Sequence, residues 1–128
     1  MSESNSPHIP KDGEDSIFDK IVKREIPSTV VYEDDLVMAF RDIAPKAPVH
    51  ILLIPKNRDG LTRMSVAEEK HKAIFGHMLW ASSEIARREG LAEGWRLVIN
   101  DGPNGGQVVY HLHMHILGGE KLGDFNKL

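Results

Sequence analysis

An α+β domain built on an antiparallel sheet is the fold class the sequence predicts, on two observations. Strand-like runs fall into two groups, residues 30–54 and 95–117, and a single long helical stretch stands between them. Such segregation of helix from strand belongs to α+β architecture rather than to alternating βαβ units. The chain has 128 residues, 41% of them apolar and 27% charged, enough to bury one core and too few for two ordinary domains. The domain is expected over residues 15–128, behind a disordered tail at 1–14 of mixed Ser, Pro, Asp and Glu.

The elements follow in order. Asp15 or Ser16 can cap a short helix that carries Ile17, Phe18, Ile21 and Val22 at helical spacing, with Pro27 as its stop. Residues 30–32 and 36–41 are strand formers separated by Glu33, Asp34 and Asp35, a hairpin pattern. After Pro45 and Pro48 an apolar run at 50–54 suits a buried third strand ending at Pro55. Ser65 and Glu68 match a reciprocal capping box and Gly90 a stop, which predicts a helix of about 22 residues. On it Ile74, Met78, Ala81 and Ile85 form an apolar stripe with Phe75 and Leu79 beside it, facing the sheet. Residues 95–100 and 110–117 are the last two strands, joined by a connection rich in Gly, Asp, Asn and Pro.

Composition narrows the function. Sixteen basic against nineteen acidic residues leave a formal charge of −3, with no basic excess for a nucleic-acid scaffold. Without cysteine there is no disulfide framework, thiolate metal site or thiol nucleophile. The longest apolar run, residues 49–54, is far short of the roughly 20 residues that span a bilayer, so no membrane role is expected. A cytoplasmic location is the default, a nuclear fraction being left open.

Of the seven histidines, His71 and His77 on the long helix read as structural, whereas His111, His113 and His115 alternate with Leu112, Met114 and Ile116. In a strand the three rings share one face, neighbours about 6.6 Å apart and the outer pair about 13 Å apart. Two chemistries remain open at this point. Zinc could be held by a His-x-His pair completed by His50 or a neighbouring acid. Alternatively, neutral imidazole can attack phosphorus near pH 7. The glycines before the strand, Gly102, Gly105 and Gly106, favour an anion cradle of backbone N–H groups and so tip the balance to phosphate.

The run His111-Leu112-His113-Met114-His115, followed by apolar residues and Gly118-Gly119, resembles the histidine-triad motif of the HIT superfamily. SIFDKI (16–21), EIP (25–27), YEDD (32–35), AFRDI (39–43), APVH (47–50), IPK (54–56) and NDG (100–102) resemble its histidine-triad nucleotide-binding branch. The resemblance implies a five-stranded antiparallel sheet with one long and one short helix, continued across a homodimer. It also implies hydrolysis of purine nucleoside 5′-phosphoramidates without metal or cofactor. By matched position His113 is the nucleophile, His115 donates toward the phosphate or bridging atom, and His111 and His50 orient the central ring. Asn100, Gly106 and the amide of Val108 contact phosphate, and Asp42 accepts from the ribose. Phe18, Ile21, Phe40 and Ile43 surround the base, with Arg41 beside base and ribose. Val108 stands where a phosphate-binding serine is common, Arg41 where histidine is common, and the tail offers Phe125 in place of a tryptophan. Dinucleoside polyphosphate hydrolysis, or AMP binding with little turnover, are the alternative readings.

Overall fold

The computed structural model describes residues 8–124. The helix α1 spans Ile17–Val22, the strands β1 Val30–Glu33, β2 Val37–Arg41 and β3 Val49–Pro55 follow, then the helix α2 Lys72–Arg88 and the strands β4 Trp95–Val98 and β5 Met114–Gly118. The five strands form one sheet in the order β1-β2-β3-β5-β4, each neighbouring pair antiparallel. The last strand therefore enters between β3 and β4, and the histidine segment reaches the middle of the sheet.

Period-two alternation gives the sheet two apolar faces. Val37, Ala39, Ile51, Leu53, Met114 and Ile116 lie under α2, where Met78, Ala81 and Ile85 meet them. Met38, Phe40, Leu52 and Ile54 lie on the other face, covered by Phe18 and Ile21 of α1. Each of these Val, Leu, Ile, Met and Phe side chains stabilises the fold by about 1.5 to 3 kcal/mol through burial. Ser16 forms the capping box of α1 with Asp19. That helix ends at Val22, short of Pro27, where Arg24 turns the chain with a φ of 62°.

Four expectations need correction. The long helix starts at Lys72, not at Ser65, because the Ser65 backbone N–H and hydroxyl both go to Asp101, and two 3-10 turns, Met64–Val66 and Glu69–His71, precede it. Gly90, with a φ of 75°, does supply the stop. Leu79 is half exposed rather than beside the packed stripe. The fourth strand stops at Val98 and the fifth begins only at Met114, since Leu112 N–H donates to Leu61 at 2.9 Å instead of joining the ladder. The tail reading divides: residues 1–7 and Phe125 lie outside the described residues, while residues 8–14 lack helix and strand but include a buried Pro10. Among the described residues no helix is long and apolar enough to cross a membrane.

Candidate active site

His50 and His115 stand on adjacent strands of the α1 face, because the register pairs Leu52 with His115 and His50 with Leu117. His50 Nε2 lies 2.9 Å from His115 Nδ1 and 3.5 Å from Asp42 Oδ2. The Lys46 N–H meets His50 Nδ1 at 3.0 Å. An amide can only donate, so His50 Nδ1 is a lone pair and the ring proton is on Nε2. That proton points at His115 Nδ1, which leaves His115 with Nε2–H as its outward edge. Asn100 Nδ2 stands 3.5 Å from that nitrogen, and because the amide's N and O are interchangeable by a half-turn about χ2, its Oδ1 can take the Nε2 proton.

The same reasoning fixes the central ring. His113 Nδ1 lies 2.7 Å from the carbonyl oxygen of His111, so Nδ1 carries the proton and Nε2 offers the free lone pair. Phe18 stands edge-on to this ring at 5.1 Å, and His115 is 5.0 Å away, centroid to centroid. His111 is fully buried, with Nε2 on the carbonyl of Pro55 at 3.0 Å. Burial pushes His111 and His115 down to about 4 and lowers His50 and His113 as well, because desolvation penalises the imidazolium. Near neutral pH the rings thus present one free lone pair, on His113, beside one free N–H, on His115.

The three histidines of the motif do not share an exposed strand face. Only His115 belongs to a strand, and His111 is turned into the protein as a support. The glycine-rich turn is also less open than expected. The amides of Gly102, Gly105, Gly106 and Gln107 bond to Gln107 Oε1, Gly102 O, Pro103 O and Gly102 O respectively. Among the described residues the Val108 amide makes no such internal bond, and Val108 is 72% exposed. Arg63 and Ser65 clamp the turn through Asp101. Local spacing gave no sign of this clamp, which joins residues 36 to 38 positions apart.

One of the residues assigned to the base and ribose lies elsewhere. Arg41 alternates to the α2 face and pairs with Glu89 at 2.9 Å, away from the histidines. Ile43 is 99% exposed on the loop after β2. Phe18, Ile21 and Phe40 do come together, with Phe18 at 5.4 Å from Phe40 and packed against His113. Asp42 is half-buried: Oδ1 accepts from Ala44 N–H at 2.7 Å, and Oδ2 faces His50. His71 and His77 are structural, bonded to Glu68 and Asp59 and to Asp34.

Gly105 tests the turn. A Cβ there would press on the backbone of Asp101, against the carbonyl carbon at 3.0 Å and closer still against its nitrogen and oxygen. Gly105→Ala is expected to displace Asn100 and the Val108 amide. It should weaken the hold of the turn on a phosphate group about tenfold, the worth of one hydrogen bond to a charged group, with the melting temperature less affected than affinity. Calorimetric titration with inorganic phosphate checks this.

The model of the HIT domain matches residues 23–122. The chain belongs to the HIT domain family. A protein of Arabidopsis thaliana named adenylylsulfatase HINT1 is 63% identical over 84% of this chain and 73% of its own length. A 14 kDa zinc-binding protein of Zea mays is 59% identical over 87% of both chains. The purine nucleoside phosphoramidase of Escherichia coli K12 is 50% identical over 86% of this chain and 92% of its own. Among solved structures, a HIT family hydrolase of Legionella pneumophila superposes with a TM-score of 0.81 at 42% identity, covering 85% of this chain and 96% of that one.

The maize relative's name raises zinc. In this HIT domain Asp42, His50 and His115 each bring a ligand atom within 4.8 Å of the others. The set is adequate by distance and donor type. It fails on the proton: the Lys46 amide reserves His50 Nδ1, so the nitrogen facing the cluster bears hydrogen and has no lone pair for a metal. These residues in this arrangement do not fit a resident zinc, and no step is derived through one.

Proposed function

We propose that the protein is a hydrolase of purine nucleoside 5′-phosphoramidates working through a nucleotidyl-His113 intermediate. The observation that carries the reading is the 2.7 Å bond from His113 Nδ1–H to the His111 carbonyl, which frees Nε2 next to the donor edge of His115. His113 Nε2 attacks the α-phosphorus, a P–N bond forms to the ring, and the substrate's P–N bond breaks. The departing amine takes its proton from His115 Nε2–H while a solvent proton enters the His50–His115 pair, so both rings stay neutral. Water then attacks the same phosphorus, the bond to His113 breaks, nucleoside monophosphate leaves, and a proton is returned to solvent. The Val108 amide and Asn100 hold the phosphate oxygens, Asp42 takes the ribose hydroxyls, and Phe18 with Ile21 and Phe40 backs the base. The E. coli relative named for this reaction supports the choice.

Adenylyl sulfate is the second substrate of interest, since the Arabidopsis relative is named for it. Its α-phosphorus would meet the same nucleophile, and sulfate would leave without needing a proton. We place the protein in the cytoplasm as a homodimer. β4 is an outer strand whose free edge can pair with a second copy, and Arg96 Nη1 beside it is buried without a partner among the described residues. Rapid quenching of enzyme with adenosine 5′-phosphoramidate, followed by peptide mass spectrometry, tests the mechanism. One adenylyl group on the peptide bearing His113 is expected. Full turnover with no adduct at any quench time would replace the covalent route by direct attack of water.

A further inference from the structure

A chain of contacts that this chemistry does not use runs from the start of α1 to His111. Ser16 is buried and caps α1: its Oγ accepts from Asp19 N–H at 3.0 Å, and its own N–H donates to Asp19 Oδ2 at 2.7 Å. The same Oγ lies 2.8 Å from Nδ1 of His111. The Pro55 carbonyl at His111 Nε2 can only accept, so Nε2 carries the proton and Nδ1 of the neutral ring is a lone pair. The Ser16 hydroxyl is therefore the donor to it. On its backbone side His111 offers the carbonyl that receives His113 Nδ1–H. Phe18, two residues after Ser16, packs against both rings, at 5.8 Å from His111 and 5.1 Å from His113.

We propose that Ser16 is a positioning residue. By donating to His111 Nδ1 it holds that ring in its Nε2–H tautomer and steadies the carbonyl on which His113 rests, leaving His113 Nε2 aimed at phosphorus. This rests on His113 as the nucleophile. An ordinary helix cap needs only an acceptor, which Asp or Asn would supply. Here the capping atom must accept and donate at once, a task for a hydroxyl.

The charged groups around His111 set the consequence of losing that donor. Asp19 Oδ1 stands 3.5 Å from His111 Nδ1, Arg58 pairs with Asp19 at 3.1 Å, and His113 is the next ring along the chain. Without the hydroxyl, the nearest partner of Nδ1 is the Asp19 carboxylate, an acceptor, so the ring binds a proton more readily. A cation there opposes the positive charge that His113 gains on taking the nucleotidyl group, and the acid limb of activity moves to higher pH.

Kinetics of the full-length protein and of Ser16→Ala and Ser16→Thr with adenosine 5′-phosphoramidate, together with imidazole 1H–15N spectra, test this. The wild-type His111 ring is expected as the neutral Nε2–H tautomer at neutral pH. Ser16→Ala should lose about tenfold in kcat with little change in KM, as a modest misplacement of the attacking group would cause, and its acid limb should rise. Ser16→Thr should restore both. A wild-type His111 in the Nδ1–H or doubly protonated form overturns the proposal, and so does a Ser16→Ala protein that loses thermal stability alone. Should Ser16→Ala fail to fold, the wild-type spectrum and the threonine variant still decide. His113→Ala measured alongside separates the two ideas: turnover without His113 removes the nucleophile itself, whereas a silent His113→Ala beside an unaffected Ser16→Ala removes only the role of Ser16.

Discussion

Replacing His113 with alanine will cost roughly 10⁴-fold or more in turnover of adenosine 5′-phosphoramidate, the scale seen when a nucleophile is removed from a unit that acts together. The size of the loss follows from the tautomers. No other nitrogen of the cluster offers a lone pair to substrate: His50 Nδ1 is held by Lys46, His115 Nδ1 by His50, and His111 Nδ1 by Ser16. Water or a neighbouring ring therefore has no ready route to replace His113. The fold should survive. His113 lies outside the strand ladder, and its one polar side-chain contact among the described residues, to the His111 carbonyl, leaves that acceptor beside a new space large enough for water. Circular dichroism and AMP titration should match the wild type closely while initial rates vanish. A variant that retains a tenth of the wild-type rate would remove His113 from the mechanism.

The order of elements and the antiparallel sheet were legible because each rests on local pattern. Ser16 and Asp19 are three residues apart and close their own box, and β2 and β3 are short apolar runs between turn signals, buried on both faces. The capping box at Ser65 looked equally sound, yet Asp101, 36 positions away, takes both polar groups of Ser65. Nothing near residue 65 announces that competitor. The alternation from His111 to Ile116 was also real as a pattern of packing, with Leu112, Met114 and Ile116 all under α2. It was not a strand throughout, since alternation reports which side is buried and says nothing about where the hydrogen bonds go. Arg41 is different. With Phe40 facing α1, period two alone sends Arg41 to the opposite face, so the signal was present and the matched family position outweighed it. The deepest part of the site, the backbone groups of Lys46, Pro55 and His111 that assign the ring protons, has no sequence signature, because every residue carries the same amide.

Acidification from about pH 6.5 to 4 will destabilise the folded protein by about 3 kcal/mol through His111 alone. Its folded value is about 4 against about 6.5 for an unfolded histidine, and each unit is worth about 1.4 kcal/mol. The direction follows from where protons go. Between those two values the unfolded chain binds a proton at this position that the folded chain refuses, so stability falls as pH falls through the window. Below about pH 4 the folded ring is also protonated and the loss is complete. His115, also held near 4, and His50 and His113, lowered in the same direction, add to the slope, with a smaller share from His115 because its ring is partly solvated. Asp34, lowered to about 2, does not offset this, since it stays ionised in the folded chain throughout the window and contributes its own loss only nearer pH 3. Against a typical total stability of about 5 to 15 kcal/mol, the histidine cluster alone brings this domain close to acid unfolding. Urea midpoints at intervals across the window should fall steadily, and His111→Gln should flatten the curve at a lower starting stability. A midpoint that stays level down to pH 4.5 would mean the buried rings accept protons as freely as unfolded ones, and the neutral tautomers on which attack by His113 depends would not be enforced by the fold.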